Sequence, residues 1–223
     1  MIGVYDYTVI LTYLSMISGA IGIIVSMSGL GHPLIGCVLL MFSGLCDTFD
    51  GSVARTKKDR TELEKAFGIQ IDSLSDLIAF GALPASIGIA LIRIHVVSGK
   101  GGYTTTSYFL TGIAVVYILA GMIRLAYFNA SEQVNINEEG GSKYFMGVPI
   151  TVAALVYPLI LILYNFVKFD LPLVYFSMMA IMTVAFVVKV KIPKPGLVAR
   201  IIMTAIGVGE IIAMIVIMLT NNK

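Results

Sequence analysis

The chain has no tryptophan, only two cysteines and two histidines, and few charged residues among its 223 positions. Charged residues make up 13% of the sequence, about half the share of a soluble domain, whereas hydrophobic residues make up 58%. This balance indicates a membrane protein and leaves no stretch for a separate soluble domain. The formal net charge of +2 is too small to indicate a nucleic-acid partner. Cys37 and Cys46 share one apolar run, so we expect buried thiols rather than a disulfide or a metal site.

Long apolar runs dominate what the chain does contain, each close to the roughly 20 residues that a helix needs to cross a bilayer. Glycine and proline punctuate most of the connections between them. The runs predict an all-α, polytopic integral membrane helix bundle, with about six core transmembrane helices plus one extra, in a single membrane-embedded domain over 1–223. The predicted spans are 8–30, 33–55, 67–98, 106–130, 148–167, 171–189 and 197–220.

Positive charge is distributed unevenly between the two sides of this predicted bundle. Eleven of the 15 lysines and arginines lie in or beside the connections after the second, fourth and sixth spans, and four lie on the opposite side. Because cytoplasmic loops carry the excess of positive charge, the first side is predicted to be cytoplasmic in a cell membrane, with the N-terminus inside. The end of the second span and the start of the third then face the cytosol, where soluble substrates are available.

Two pairs of aspartates lie beside these apolar runs, where charge is expensive and a functional role is the first expectation. Asp47 and Asp50 are three residues apart near the end of the second span. Asp72 and Asp76 are four residues apart near the start of the third, so each pair shares one face of its helix. Because the connection turns the chain back, we expect the two spans to be antiparallel neighbours and the four carboxylates to lie around one point.

Four clustered carboxylates at a membrane boundary need compensating positive charge. Oxygen ligands select hard cations, so the cluster predicts a divalent metal site for Mg²⁺ or Mn²⁺, with two ions expected, as in enzymes that activate phosphate esters. Gly51, Ala54 and Gly68 let a bulky phosphorylated ligand approach the helices, and the planar fork of Arg55 can bind a phosphate. The competing interpretation is that the aspartates are solvated helix ends, which does not explain two pairs with small residues and an arginine beside them.

The stretch from Asp47 to Asp76 resembles the signature of the CDP-alcohol phosphotransferase family, D-x2-D-G-x2-A-R-x8-G-x3-D-x3-D. Every fixed position of the signature is matched. The one departure is that twelve residues, Thr56 to Phe67, separate Arg55 from Gly68 where the family has eight. The extra four residues are expected in a polar connection, where insertions are tolerated.

The resemblance implies a transferase that binds a CDP-lipid, either CDP-diacylglycerol or an archaeal CDP-diether lipid. An alcohol hydroxyl attacks the lipid-side phosphorus, and CMP leaves. By the family pattern Asp47, Asp50 and Asp72 hold the metals, and Asp76, which completes the metal-binding set, is the general base. Relatives are often homodimers, so a homodimer is expected. The residues that the resemblance places against the CDP-lipid are Asp47, Gly51, Ala54, Arg55 and Gly68.

Three further stretches resemble segments of bacterial and archaeal phosphatidylserine synthases, a branch of this family, and they imply L-serine as the acceptor. A site for serine needs a cation and a hydrogen-bond acceptor, and the candidate contacts are Arg124, Asn129 and Lys143. Simpler roles compete, since Arg124 and Lys143 could be positive-inside anchors and Asn129 a helix C-cap. The three stretches are 80–85, 124–129 and 145–150.

Several alternatives remain open. A sister transferase acting on glycerol phosphate or inositol phosphate would need more cations for the extra phosphate of its acceptor. A divalent-cation transporter would place its acids near the bilayer midplane, whereas these aspartates map to one face of the membrane. A third alternative is a catalytically inactive scaffold, but no motif residue is missing. Glu210 lies deep in the last span among small residues, and we expect it to have a structural or dimer-contact role.

Overall fold

The computed structural model describes residues 3–29, 31–99, 105–135, 144–189, 191–193 and 197–221, and nearly all of them are helical. The predicted all-α membrane bundle is confirmed. A short antiparallel pair of strands, β1 (Tyr144–Met146) and β2 (Lys191–Pro193), is the one departure from helix among the described elements. The helices are α1 (Ile10–Met27), α2 (Pro33–Ala54), α3 (Glu62–Asp76), α4 (Leu83–Val97), α5 (Thr105–Asn135), α6 (Ala153–Phe166), α7 (Leu171–Val187) and α8 (Leu197–Asn221).

The seven predicted spans correspond in order to seven helical stretches, because α3 and α4 are joined by a π-helical segment, Leu77–Ala82, into one rod. Short 3-10 turns lead into α1 and α6. The stretch Ile150–Phe166 and helix α7 are apolar but shorter than a full span. Within the described residues, the stretches long and apolar enough to cross a bilayer are Tyr7–Met27, Pro33–Ala54, Glu62–Val97, Thr105–Ser131 and Ile202–Thr220.

The third stretch begins earlier than predicted, at Glu62 rather than at residue 67. Thr61 starts it with a capping box. The Thr61 hydroxyl accepts a hydrogen bond from the Glu64 N–H at 3.2 Å, and the Glu64 carboxylate accepts one from the Thr61 N–H at 2.7 Å. Half of the twelve residues between Arg55 and Gly68 are therefore helical, and the connection between the second and third spans is shorter than predicted.

A proline interrupts the backbone hydrogen bonding of the α3–α4 rod. Pro84 has no N–H and cannot donate to the carbonyl four residues earlier, which belongs to Phe80. The hydroxyl of Tyr117 on α5 donates to that carbonyl at 2.7 Å, and the hydroxyl of Tyr175 on α7 donates to the Pro84 carbonyl at 2.9 Å. Both tyrosines are fully buried, so the carbonyls of Phe80 and Pro84 receive their side-chain hydrogen bonds inside the bundle.

Helix α1 packs tightly against both α2 and the α3–α4 rod. The Ser15 hydroxyl donates to the Ser43 carbonyl at 3.3 Å, and the Ser43 hydroxyl returns a bond to the Ser15 carbonyl at 3.0 Å. A side chain at Gly19 would place its Cβ 2.9 Å from the Cα of Ala79, so the two backbones meet there. Such contacts between small residues are the usual means of close helix packing in membranes, and they fix the relative positions of the helices that carry the aspartates.

Candidate active site

The structure brings the four aspartates together between α2 and α3. Carboxylate oxygens of Asp47, Asp50 and Asp72 lie within 4.8 Å of one another. The carboxyl groups of Asp47 and Asp76 are within hydrogen-bonding distance, as are those of Asp50 and Asp72. Each pair therefore joins one residue of α2 to one residue of α3.

The donor set fits a divalent cation. All of its ligand atoms are carboxylate oxygens, and their separation is comparable to the roughly 4–5 Å between opposite ligands of one hard ion. In the described part of the chain, none of the ion pairs involves any of these four aspartates. Asp50 and Asp76 are buried, at 9% and 7% exposure, so the cluster needs positive charge that the surrounding side chains do not provide as ion pairs.

Thr12 on α1 also belongs to this site, although its sequence environment gives no sign of it. Its hydroxyl donates to an Asp50 oxygen at 3.1 Å, and its own carbonyl accepts a bond from the Ser75 hydroxyl at 3.2 Å. Thr12 is thus bonded to both helices that carry the aspartates. A lone threonine in an apolar run has no spacing or charge signal that would separate it from an ordinary helix residue.

A cleft of about 340 Å³ opens beside the carboxylates between α1, α2 and α3. This volume is at the lower end of the range for small-molecule sites. Two carboxylates and three cationic side chains line the cleft together with small residues of the signature, so it has the mixed charge that a metal-bound diphosphate requires. The lining residues are Thr8, Val9, Thr12, Asp50, Gly51, Ala54, Arg55, Arg60, Lys65, Gly68, Ile69 and Asp72.

The two signature glycines in the cleft each leave room for an arginine. A Cβ at Gly51 would lie 3.3 Å from a terminal nitrogen of Arg55. A Cβ at Gly68 would lie 2.7 Å from a terminal nitrogen of Arg60. From the sequence we expect the ligand to occupy the space beside these glycines. In the structure the guanidinium groups of Arg55 and Arg60 border that space.

Two of the three candidate serine contacts approach the aspartates from α5. Arg124 is 8% exposed and interacts electrostatically with Asp76. An arginine that served as a lipid-facing anchor would be exposed on the surface of the bundle instead. The Asn129 amide donates to the Ser73 hydroxyl at 2.8 Å, between the two aspartates of α3. Because α5 continues to Asn135, the C-cap alternative for Asn129 is wrong. Lys143 lies outside the described residues.

Glu210 and the two cysteines are not among the residues that line the cleft. Glu210 is 8% exposed on α8, and it is near enough to Cys37 of α2 to affect it electrostatically. One of its carboxyl oxygens is buried without a hydrogen-bond partner among the described residues. This inward position favours a structural role over a dimer contact. Cys37 and Cys46 are free, buried thiols, as expected.

Residues 8–191 match the family model of the CDP-alcohol phosphatidyltransferases. The match covers most of the chain and includes all four aspartates and the whole cleft, so the chain belongs to the CDP-alcohol phosphatidyltransferase family. Membership in this family leaves the cation-transporter alternative without support.

Similar curated proteins come from archaea, bacteria and yeast. The chain is 33% identical to the archaetidylserine synthase of Methanothermobacter thermautotrophicus over 149 residues, 65% of this chain and 53% of that protein. It is 29% identical to the CDP-diacylglycerol–serine O-phosphatidyltransferase of Helicobacter pylori over 163 residues, 72% of this chain and 61% of that protein. It is 35% identical to the yeast (Saccharomyces cerevisiae) protein of the same name over 155 residues, 65% of this chain and 50% of that protein. The chain thus spans between half and about three fifths of these relatives.

Proposed function

We propose that this protein is a CDP-diacylglycerol–serine O-phosphatidyltransferase. The serine hydroxyl oxygen forms a bond to the lipid-side phosphorus, the bond from that phosphorus to the CMP oxygen breaks, and a phosphatidylserine-type lipid and CMP result. The observation that carries the proposal is the convergence of four aspartates beside a cleft lined by the signature residues. The serine-specific names of the relatives support the choice of acceptor.

The aspartates have two roles in this proposal. Asp47, Asp50 and Asp72 hold divalent metal, two ions of Mg²⁺ or Mn²⁺, with Asp76 at the edge of the set. Bound metal neutralises the diphosphate and polarises its phosphoryl oxygens. Asp76 accepts the proton of the serine hydroxyl as the new P–O bond forms. Gly51 and Ala54 leave room for the CDP moiety.

Arg124 is proposed to bind the carboxylate of serine. The hydroxyl and the carboxylate of serine are on adjacent carbons, so the base and the carboxylate-binding cation must be close neighbours. The burial of Arg124 and its electrostatic interaction with Asp76 support this arrangement. Asn129 orients the same end of the site through Ser73, and Lys143 is proposed as a further cation on sequence grounds alone.

The proposed setting is a multi-pass cell-membrane protein that forms a homodimer and has one membrane-embedded domain over 1–223. The cleft and the lysine-rich connection beside it would face the cytosol with the N-terminus, and the lipid tails would enter from the bilayer. Five described stretches of membrane-spanning length support the multi-pass arrangement.

The acceptor assay tests this proposal directly. Purified protein is incubated with Mg²⁺ or Mn²⁺, a CDP-lipid of the diacyl or diether type, and serine, glycerol phosphate or inositol phosphate in turn, and CMP release is measured. We expect CMP release with serine. Release with glycerol phosphate or inositol phosphate but not with serine would overturn the choice of acceptor.

A further inference from the structure

Four cationic residues lie between Arg55 and Gly68, and their surroundings differ. Lys57 is paired with Asp6 and Glu64 at 2.7 and 2.8 Å, and Lys65 is paired with Glu62 at 2.8 Å. Lys58 is exposed and is not part of the cleft wall. The remaining cation, Arg60, both lines the cleft and has no ion-pair partner among the described residues.

Arg60 is held in place by the start of α3. One terminal nitrogen donates to the Glu64 carbonyl at 3.1 Å, and the same nitrogen occupies the space above Gly68. The Nε of Arg60 is buried and has no acceptor in the described part of the chain. A partly buried guanidinium with an unused donor, on the wall of a cleft that also contains Arg55, is suited to an anion.

The spacing of residues along α3 indicates which anion Arg60 would bind. Gly68, Asp72 and Asp76 follow one another at four-residue intervals on one helix face, so the two ends of the row are about 12 Å apart. Arg60 lies at the Gly68 end, and Arg124 lies near Asp76 at the other. If serine and the base occupy the Asp76 end, the part of the CDP-lipid beyond the metals extends toward Arg60.

We infer that the guanidinium of Arg60 binds the nucleotide-side phosphate of the CDP-lipid and holds the CMP phosphate as it leaves. The inference rests on the function proposed above. The nucleotide-side phosphate is one bridging oxygen from the reacting phosphorus, and it gains negative charge as the bond to that phosphorus breaks. The family signature does not contain Arg60, which belongs to the segment that is four residues longer in this chain.

The first test compares Arg60→Ala and Arg60→Lys with Lys58→Ala, a cation of the same connection that lies outside the cleft. A charge-assisted hydrogen bond predicts that Arg60→Ala raises both the KM for CDP-diacylglycerol and the Ki for CMP at least about tenfold. The KM for serine should stay within about twofold, and Arg60→Lys should recover part of the loss because it keeps the charge. If Arg60→Ala behaves like Lys58→Ala, or raises the KM for serine instead, the inference is overturned.

A double-mutant cycle with Gly68→Ala tests the geometry. The added methyl group would lie 2.7 Å from a terminal nitrogen of Arg60, so it should displace the guanidinium and raise the KM for the CDP-lipid. In the Arg60→Ala background there is no guanidinium to displace, and the same substitution should cost much less. An equal cost in both backgrounds would contradict this arrangement.

Direct titration of the purified proteins with CMP separates this inference from the proposed function. Arg60-dependent CMP binding in a protein that does not transfer to serine would leave the inference standing and overturn the acceptor. Normal transfer to serine combined with CMP binding that is unchanged in Arg60→Ala would overturn the inference alone.

Discussion

The continuous helical rod from Glu62 to Val97 has two parts that satisfy their polar groups in different ways. Before Leu77 the rod presents Asp72 and Asp76 to other carboxylates, and the described side chains supply no ion pair for them. After Leu77 the rod contains Pro84, which has no N–H, and the Phe80 carbonyl one turn earlier accepts a hydrogen bond from the Tyr117 hydroxyl. Polar groups whose hydrogen-bond partners are supplied by the protein belong to the scaffold. Polar groups that need a bound metal or ligand as their partner mark the active site.

The largest effect is expected from Asp76→Asn in the first part. The substitution removes the proposed base while keeping the size of the side chain, so turnover should fall about 10²- to 10⁴-fold. Binding of metal and CDP-lipid should remain largely intact, whereas Asp47→Asn should weaken metal binding itself. Initial rates measured across a metal titration distinguish a loss of turnover from a loss of metal affinity. Near-normal turnover of Asp76→Asn would show that another group is the base.

A smaller effect, confined to the acceptor, is expected from Arg124→Ala. Loss of the cation that binds the serine carboxylate should raise the KM for serine about tenfold or more while leaving the KM for the CDP-lipid unchanged. Steady-state kinetics with each substrate varied in turn measure this. An equal rise in both KM values would instead mean that Arg124 supports the whole site.

In the second part of the rod, Tyr117→Phe should reduce stability and leave substrate KM values unchanged. The buried Phe80 carbonyl would lose the Tyr117 donor, at a cost of about 1–3 kcal/mol. Tyr108→Phe on the same helix is the matched control, because Tyr108 is 73% exposed. Thermal unfolding in detergent should show a lower melting temperature for Tyr117→Phe alone. Equal melting temperatures would show that the carbonyl finds another donor.

The smallest effect is expected at Asp6, which joins the segment before α1 to the connection after α2 through Lys57. Hydrogen bonds from the Lys57 ammonium and from the hydroxyl and N–H of Thr8, together with the charge of Lys57, lower the pKa of Asp6 to about 2. In turn, Asp6 and Glu64 raise the pKa of Lys57. A lowered carboxyl pKa contributes stability above its unfolded value near 4, and that contribution is lost as pH falls toward 2.

Asp6→Asn should therefore lower the melting temperature slightly at pH 7, as expected for a partly exposed ion pair, and the difference from wild type should shrink between pH 4 and pH 2. Asp59→Asn, an exposed aspartate on the same connection, serves as the control. A difference that stays constant across this pH range would rule out the charge of the Asp6 carboxylate as its source.

Sequence reasoning was most successful where charge interrupts an apolar run. The spacings of Asp47 to Asp50 and of Asp72 to Asp76 placed each pair on one helix face, and the structure brings the pairs together. Thr12 could not be found in this way, because a threonine adds neither charge nor periodicity.

Arg60 was missed for the opposite reason. Charged residues are expected in a connection, and nothing in the sequence shows that one of them turns back over Gly68. The early start of α3 was detectable, since Thr61 and Glu64 have the spacing of a capping box, but their charged neighbours mask the apolar period on which the span was based.

The π-helical segment after Asp76 sets the rotational phase between the two parts of the rod. A π turn holds more residues than an α turn, and each added residue rotates the following side chains by about 100° around the helix axis. The direction of the aspartates and the packing of α4 can therefore be set independently within one continuous helix. Deleting one residue of the segment, such as Ile78, would turn Asp72 and Asp76 away from α2 even if α4 kept its place in the bundle.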